Sequence, residues 1–147
     1  TSSYVSPEMA GLDGAARAAG VLLLCEAGLD PGMDHMGAAR AVQALQARGG
    51  RVTYFSSVCG GLPAPEVADN PLLYRFSWSP RGALAASGNA ARWRRDGVEE
   101  RVDGDALLAS AAPLEDNPWP ALRLEVLPNR DSLAYEALYG IGGAATV

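Results

Sequence analysis

The sequence predicts an α/β fold in its first half and an α+β arrangement in its second half. In the first half, helix signals alternate with short apolar runs, an order that favours parallel strands joined by right-handed helical crossovers. Residues 60–71 are rich in proline and glycine, which favours irregular backbone. This change of composition indicates that the sheet of one domain gives way to a second domain.

Each element of the first half has a local reason. Ser6 precedes a proline and an acidic residue, so it is expected to cap a helix over residues 7–19. The continuous apolar run at residues 21–25 is typical of a strand buried on both faces of a parallel sheet. After a loop, a second helix is expected to run to residue 48, where Gly49 stops it.

The second half is predicted to mix helices and strands. Ser79 and the following proline predict a helix start, and the Asp96–Gly97 pair is expected to close that helix. The arginines at positions 92, 94 and 95 would then lie at its solvated C-terminal end. We predict strands at residues 52–59, 98–102 and 122–127, and helices at residues 80–95, at residues 105–112 and from a cap at Asp131 or Ser132 to Gly140.

The composition excludes several classes of mechanism. All 12 basic residues are arginines, so no lysine is available for a Schiff base, a phosphate clamp or a general base. A net charge of −5 argues against nucleic acid as a partner, and no apolar run approaches the roughly 20 residues that span a membrane. With 2 cysteines and 1 histidine we expect no metal site and no disulfide framework. Reduced thiols indicate a cytoplasmic location, or the mitochondrial matrix.

The first motif that carries chemistry is Gly-Leu-Asp-Pro-Gly-Met-Asp-His at residues 28–35. Its proline fixes φ, and its glycines let the backbone approach a ligand closely. Asp30 either caps the second helix, which is the commoner role for this residue pair, or binds a polar group at the edge of the sheet. His35 is expected to be a packed or surface residue rather than a ligand.

The second motif, Cys-Gly-Gly-Leu-Pro-Ala-Pro at residues 59–65, follows another predicted strand. Cys59 is either a small buried residue before a turn or a thiol that faces a cleft. Arg130 either binds a ligand carboxylate or forms an ion pair with Asp131 or a neighbouring acidic residue. Ser79 is either a plain helix cap or a contact for an anion or a cofactor.

Taken together, these segments resemble the saccharopine dehydrogenase family of the L-glutamate-forming type. The resemblance covers nearly the whole chain in the family's order and spacing, and it rests on residues 1–4, 28–32, 34–35, 59–66, 69–71, 76–79 and 128–132. It implies that residues 1–50 are the C-terminal portion of a Rossmann-type dinucleotide-binding domain with a parallel sheet. Residues 51–147 would be part of a mixed-sheet domain that binds saccharopine and forms a homodimer. The chain would then be an internal piece that lacks the N-terminal part of the Rossmann domain.

The resemblance also implies the roles of individual residues. Catalytic positions near the reacting nitrogen would be Asp30, Cys59 and Tyr4. The cofactor, NADP or NAD, would be contacted by Ser2, Ser3, Leu29, Asp30, Pro31 and Ser79. The substrate would be contacted by Ser3, Tyr4, Asp30 and Arg130, with the guanidinium on a carboxylate. We therefore expect the side chains at positions 30, 59 and 130 to meet around one cleft.

The implied activity is oxidation of the secondary amine of saccharopine by NAD(P)⁺, followed by hydrolysis to L-glutamate and α-aminoadipate semialdehyde, or the reverse reduction in lysine metabolism. An isolated piece of this kind is expected to be inactive. Two alternatives stay open: a related dehydrogenase that acts on carboxynorspermidine, and a non-catalytic dimerisation module that has kept the fold.

Overall fold

The computed structural model describes all 147 residues, and the chain divides into two compact units, Thr1–Arg51 and Val52–Val147. The protein is a small α/β structure in which the paired strands form short antiparallel sheets. None of its helices combines the length and the apolar composition that crossing a membrane requires.

Unit 1 contains helices α1 (Pro7–Ala10), α2 (Asp13–Ala19) and α3 (Met33–Gln46). The hydroxyl of Ser6 accepts a hydrogen bond from the amide of Met9, which confirms the predicted cap. The predicted single helix is nevertheless interrupted after α1, because the amide of Leu12 bonds to Met9 three residues back rather than four. Gly20 ends α2 in the left-handed conformation, as predicted.

The predicted strand at residues 21–25 is not a strand in this structure. The segment is extended, but no other strand pairs with it. Three backbone hydrogen bonds join this region to residues 1–3: the amine of Thr1 donates to the carbonyl of Leu24 at 2.8 Å, and the amides of Glu26 and Ala27 donate to the carbonyls of Ser3 and Thr1. Because a strand is defined by hydrogen bonding to a neighbour, an apolar run without a partner does not become one.

Unit 2 holds helices α4 (Pro80–Ala86) and α5 (Tyr135–Tyr139) and four strands. The strands are β1 (Ala91–Arg95), β2 (Val98–Val102), β3 (Ala112–Pro113) and β4 (Glu125–Val126). Single turns of 3₁₀ helix occupy Pro65–Val67, Leu108–Ser110 and Ser132–Ala134. The predicted helix at residues 105–112 is thus reduced to a 3₁₀ turn, and the predicted strand at 122–127 is reduced to the two residues of β4.

The prediction of one helix over residues 80–95 is wrong in its second half. The helix ends at Ala86, and β1 follows and pairs antiparallel with β2. Between them Asp96 and Gly97 both have positive φ, 50° and 83°, which is the backbone of a two-residue hairpin turn. The arginines at 92, 94 and 95 therefore lie on a strand rather than at a helix end.

The outer edge of β1 is covered by the end of the chain. Arg94 and Val147 exchange backbone hydrogen bonds of 3.0 and 2.9 Å. Residues 145 and 146 bond in turn to Thr53 and Phe55. The predicted strand at residues 52–59 is reduced to this contact, a single parallel bridge between Tyr54 and Thr146.

The apolar core lies mainly in unit 2. Seven of the eight buried hydrophobic residues belong to unit 2: Val52, Ala91, Leu107, Leu133, Ile141, Ala144 and Val147. The eighth, Val42, lies in unit 1. The final helix was predicted correctly: Asp131 caps the 3₁₀ turn that leads into α5, and Gly140 ends α5 with φ of 65°.

Candidate active site

The segment between the apolar run and α3, residues 26–32, forms a tight loop that we call the site loop. The amide of Gly28 donates to the carbonyl of Pro31 at 3.0 Å, and the amide of Met33 donates back to the carbonyl of Gly28 at 2.9 Å. These bonds close the loop on itself at the entrance to α3. Asp30 lies at its tip with an exposed side chain, while Pro31 is buried.

Gly32 is the position in the site loop that tolerates no side chain. Its φ is 146°, and a Cβ built there would lie 2.2 Å from the carbonyl oxygen of Gly28. Contacts that short are sterically forbidden, and L-residues rarely adopt this φ. The glycine therefore fixes the loop's path, which explains why the motif needs it.

Asp30 does not cap α3, so the commoner of its two predicted roles is wrong. The cap position is Gly32, and the carboxylate that binds the loop backbone belongs to Asp34, which accepts from the Gly32 amide at 2.7 Å. Because Asp34 takes this structural role, the carboxylate of Asp30 is left to face outward from the loop tip. His35 is half-buried, with Nε2 3.8 Å from the Asp34 carboxylate.

Asp30 instead contacts Tyr4. The phenolic hydroxyl of Tyr4 donates to Oδ1 of Asp30 at 2.9 Å, across 26 residues of sequence. Both side chains are exposed, and Tyr4 retains 40% of its accessible surface. A carboxylate joined to a phenol can pass a proton between two oxygens, which is the arrangement that general acid–base chemistry uses.

Glu26 holds the segment that carries Tyr4 and was missed by the sequence analysis. Its amide donates to the carbonyl of Ser3 at 3.0 Å, and its Oε1 accepts from the amide of Val5 at 3.2 Å. The residue has a left-handed backbone with φ of 55°. The one sequence signal was an acidic residue directly after the apolar run, which is a weak signal by itself.

Ser2 packs against the backbone of the site loop at Gly28. A Cβ built on Gly28 would lie 2.6 Å from the Cβ of Ser2, so the two segments approach closely because this position is glycine. Ser2 and Ser3 are exposed here, and Leu29 beside them is 64% exposed. Two hydroxyls and an exposed apolar side chain thus share one edge of unit 1.

In unit 2, Cys59 is exposed, so the prediction of a small buried residue is wrong, and the role of a thiol that faces a cleft stays a prediction. Nearby, a Cβ on Gly61 would meet the hydroxyl oxygen of Ser77 at 3.1 Å. The double-glycine segment that follows Cys59 therefore lies against the residues that lead into α4.

The hydroxyl of Ser79 caps α4 and accepts from the amide of Gly82 at 3.1 Å. This confirms the plain cap among its two predicted roles. The indole of Trp78 lies over the same turn, because a Cβ on Gly82 would come within 2.6 Å of its six-membered ring.

Arg130 lies directly before the last helical segment in a left-handed conformation with φ of 51°. Its carbonyl accepts from the Arg92 amide at 2.7 Å, which ties its backbone to β1. The carboxylate of Asp131 binds the guanidinium of Arg92 through both oxygens, at 3.2 and 3.1 Å. That hydrogen bond, and then the charge of Asp131, raise the pKa of Arg92.

The structure thus brings together part of the predicted site. Tyr4, Ser2 and Ser3 lie against the site loop with Asp30, Leu29 and Pro31, all within unit 1. Cys59, Ser79 and Arg130 belong to unit 2 and lie on three different segments of it. The meeting of positions 30, 59 and 130 around one cleft stays a prediction. No group of three or more His, Cys, Asp or Glu side chains is arranged to hold a metal ion.

The matches to known proteins together cover the whole chain. The family model described as the saccharopine dehydrogenase C-terminal domain matches residues 28–147. A saccharopine dehydrogenase [NADP(+), L-glutamate-forming] of Pyricularia oryzae is 47% identical over 147 residues, which is 100% of this chain and 32% of that protein. An alpha-aminoadipic semialdehyde synthase of Arabidopsis thaliana is 47% identical over 146 residues, 99% of this chain and 14% of that protein.

The fold is also that of a solved structure. An apo saccharopine dehydrogenase (L-Glu forming) from Saccharomyces cerevisiae superposes with a TM-score of 0.84 at 44% identity, over 100% of this chain and 33% of that one. The chain therefore spans about a third or less of the length of the relatives that it matches.

Proposed function

Since the chain belongs to the saccharopine dehydrogenase family, we propose that it is part of an NADP-dependent oxidoreductase acting on the CH–NH group of saccharopine. The products of oxidation are L-glutamate and α-aminoadipate semialdehyde, and reduction in the opposite direction serves lysine metabolism. A relative carries NADP(+) in its name, which favours NADP over NAD.

One observation carries this proposal at the level of chemistry: the 2.9 Å hydrogen bond between Tyr4 and Asp30. Saccharopine oxidation needs a group that takes up and returns protons at a nitrogen, and a phenol–carboxylate pair at an open edge supplies one. The loop that presents Asp30 is closed by its own backbone bonds, so the carboxylate is held ready before a ligand binds.

The proposed reaction begins at the secondary amine. Asp30 would take a proton from the nitrogen, and the dinucleotide, when bound, would supply the oxidant for the neighbouring C–H bond. The electron pair of the nitrogen forms the C=N bond. Water adds to that carbon and loses one proton to solvent at the open edge, while the nitrogen regains a proton from the Tyr4–Asp30 pair. The carboxylate freed in this way takes the hydroxyl proton as the C–N bond breaks, which releases L-glutamate and the aldehyde.

The residues on the edge of unit 1 fit a nicotinamide ring. The exposed side chain of Leu29 offers an apolar contact for a flat ring, and Ser2 and Ser3 offer hydroxyls for its amide. The close approach at Gly28 places Ser2 directly against the site loop on that edge. We propose that Asp30 and Pro31 complete this contact and that Ser79 approaches it from the second domain through groups other than its capping hydroxyl.

The substrate contacts are proposed to come from both units. Ser3, Tyr4 and Asp30 would face the reacting part of saccharopine, and Arg130 would bind one of its carboxylates. An arginine suits this task because its planar guanidinium can donate two parallel hydrogen bonds to a carboxylate. Cys59 is proposed to lie near the reacting nitrogen, with its exposed thiol as a second proton carrier.

The domain assignment extends the same proposal. Residues 1–50 are proposed to be the end of a Rossmann-type dinucleotide-binding domain, in which residues 21–25 pair as a strand of a parallel sheet. Residues 51–147 are proposed to belong to a mixed-sheet domain that binds saccharopine and forms a homodimer. We propose a cytoplasmic location for the whole enzyme.

Steady-state assays of the full-length enzyme test the proposal. We expect oxidation of saccharopine with NADP⁺, weaker turnover with NAD⁺, and none of carboxynorspermidine. Tyr4→Phe and Asp30→Asn should each lower kcat by about a hundredfold, which is typical of a lost acid–base group. The matched control is Tyr54→Phe, which removes an exposed phenol from unit 2 and should leave kcat unchanged.

Three results would contradict the proposal in different ways. Turnover of carboxynorspermidine alone would assign the chain to the related dehydrogenase. A full-length protein that binds neither dinucleotide nor saccharopine would favour a dimerisation module. A Tyr4→Phe enzyme as active as the wild type would remove the phenol from the proton path.

A further inference from the structure

We infer that Glu26 is a positioning residue for Tyr4, holding the segment of residues 3–5 so that the phenol reaches Asp30. The inference rests on the proposed function, because it assigns a task to the Tyr4–Asp30 pair. Glu26 itself has no contact with Asp30 and is not proposed to touch saccharopine.

The geometry shows how one residue fixes both sides of Tyr4. The backbone amide of Glu26 donates to the carbonyl of Ser3 at 3.0 Å, and the side-chain Oε1 accepts from the amide of Val5 at 3.2 Å. The two bonds therefore hold the residues immediately before and after Tyr4. With both neighbours held, the phenol projects toward the tip of the site loop, where its hydroxyl meets Asp30 at 2.9 Å.

The surroundings explain why such a hold is needed. Residues 3–5 lie outside every helix and strand, so regular secondary structure does not order them. They are also exposed, and Val5 retains 50% of its surface, so burial does not hold them either. An exposed segment without regular structure samples many conformations unless specific hydrogen bonds restrict it.

The backbone of Glu26 points to the same role. Its φ of 55° is uncommon for a residue with a side chain, and such conformations persist where the surroundings determine them. Here the conformation lets the amide and the carboxylate of one residue both face the segment of residues 3–5. A glycine would adopt this φ more easily, so the side chain at this position has a function that a turn alone does not require.

The test uses three substitutions at this position in the full-length enzyme. Glu26→Ala removes the acceptor, Glu26→Gln keeps an oxygen that can accept from Val5, and Glu26→Gly relieves the backbone without restoring the acceptor. We expect kcat for saccharopine to fall about fivefold in Glu26→Ala and Glu26→Gly, equivalent to one ordinary hydrogen bond. Glu26→Gln should restore most of the activity, and KM for NADP⁺ should stay near the wild-type value.

A double mutant separates positioning from a general structural effect. In a Tyr4→Phe background the phenol is already absent, so Glu26→Ala should lower kcat no further. The matched control is Asp13→Ala, which removes an exposed carboxylate of unit 1 that pairs with Arg17 at 2.8 Å. It should leave kcat unchanged in both backgrounds.

Hydrogen exchange gives a readout that does not depend on activity. The peptide covering residues 1–6 should exchange faster in Glu26→Ala than in the wild type, and Glu26→Gln should restore its protection. If that peptide is unchanged, or if Glu26→Ala lowers kcat equally in the Tyr4→Phe background, the positioning role is wrong. If exchange responds as expected while the enzyme does not turn over saccharopine, the positioning of Tyr4 stands and the proposed function fails.

Discussion

The two units of this chain are built in opposite ways. Unit 2 buries seven apolar side chains around a β-hairpin whose outer edge is covered by residues 145–147. Unit 1 contains one of the buried hydrophobic residues, Val42, and its apolar run at residues 21–25 is largely exposed, with Leu22 82% exposed. The local geometry of unit 1 is held instead by hydrogen bonds within the site loop and between that loop and residues 1–5.

This difference teaches that a site can be locally well defined where the packing is weak. The contact between Tyr4 and Asp30 depends on a few directional bonds and two glycines, not on a surrounding core. The contact between Tyr4 and Asp30 should therefore be most sensitive to changes in backbone geometry, whereas unit 2 should be most sensitive to loss of apolar volume.

The largest expected effect is the loss of a core side chain in unit 2. Ile141 is 2% exposed, and Ile141→Ala should lower the stability of the full-length protein by about 2–5 kcal/mol through lost burial and a cavity. Thermal unfolding of the full-length protein measures it. A change within about 0.5 kcal/mol, the range of ordinary surface positions, would show that unit 2 lacks the core described.

Leu22→Ala in the full-length protein tests whether the apolar run of unit 1 is exposed there or packed like the core of unit 2. We propose that residues 21–25 pair within a dinucleotide-binding sheet in the whole enzyme, so the loss should also fall in the core range of about 2–5 kcal/mol. A loss within about 0.5 kcal/mol would show that this face stays exposed and would contradict the proposed strand.

A smaller loss of stability is expected when the backbone of the site loop in unit 1 is strained by a substitution. Gly32→Ala places a Cβ 2.2 Å from the Gly28 carbonyl at a φ of 146°, and it should cost about 1–3 kcal/mol through overpacking. We expect lower kcat as well, because the same loop presents Asp30. The matched control is Gly37→Ala, where a Cβ meets nothing within 4 Å and helix α3 should gain about 0.5–1 kcal/mol. Equal melting temperatures for the two variants would contradict the loop geometry.

The fourth prediction separates the units by their proposed ligands. Arg130→Ala should raise KM for saccharopine while KM for NADP⁺ stays unchanged, because a lost charge-assisted bond costs about 1.5–3 kcal/mol. Arg101→Ala, which removes an exposed guanidinium paired with Asp103 at 3.0 Å, is the control and should change neither constant. An unchanged KM for saccharopine would remove Arg130 from the carboxylate contact.

Where the sequence predicted local structure correctly, the signal lay in adjacent residues. The cap at Ser6, the stop at Gly20, the cap at Asp131 and the end at Gly140 all depend on backbone groups within a few positions. The prediction of a helix over residues 91–95 is wrong because Asp96–Gly97 is compatible both with a helix end and with the tight turn that joins β1 to β2.

The amino-acid sequence by itself determined the caps at Ser6 and Asp131, the helix ends at Gly20 and Gly140 and the position of the site loop, and its motifs indicated the family. Only the tertiary structure decided that Asp34 rather than Asp30 serves the start of α3, that the Asp30 carboxylate meets Tyr4, and that Glu26 holds the residues on either side of it. The physical reason is the distance along the sequence between the groups that interact. A cap is settled by φ, ψ and hydrogen bonds among neighbours, whereas a contact across 26 residues depends on where the fold brings two distant segments together.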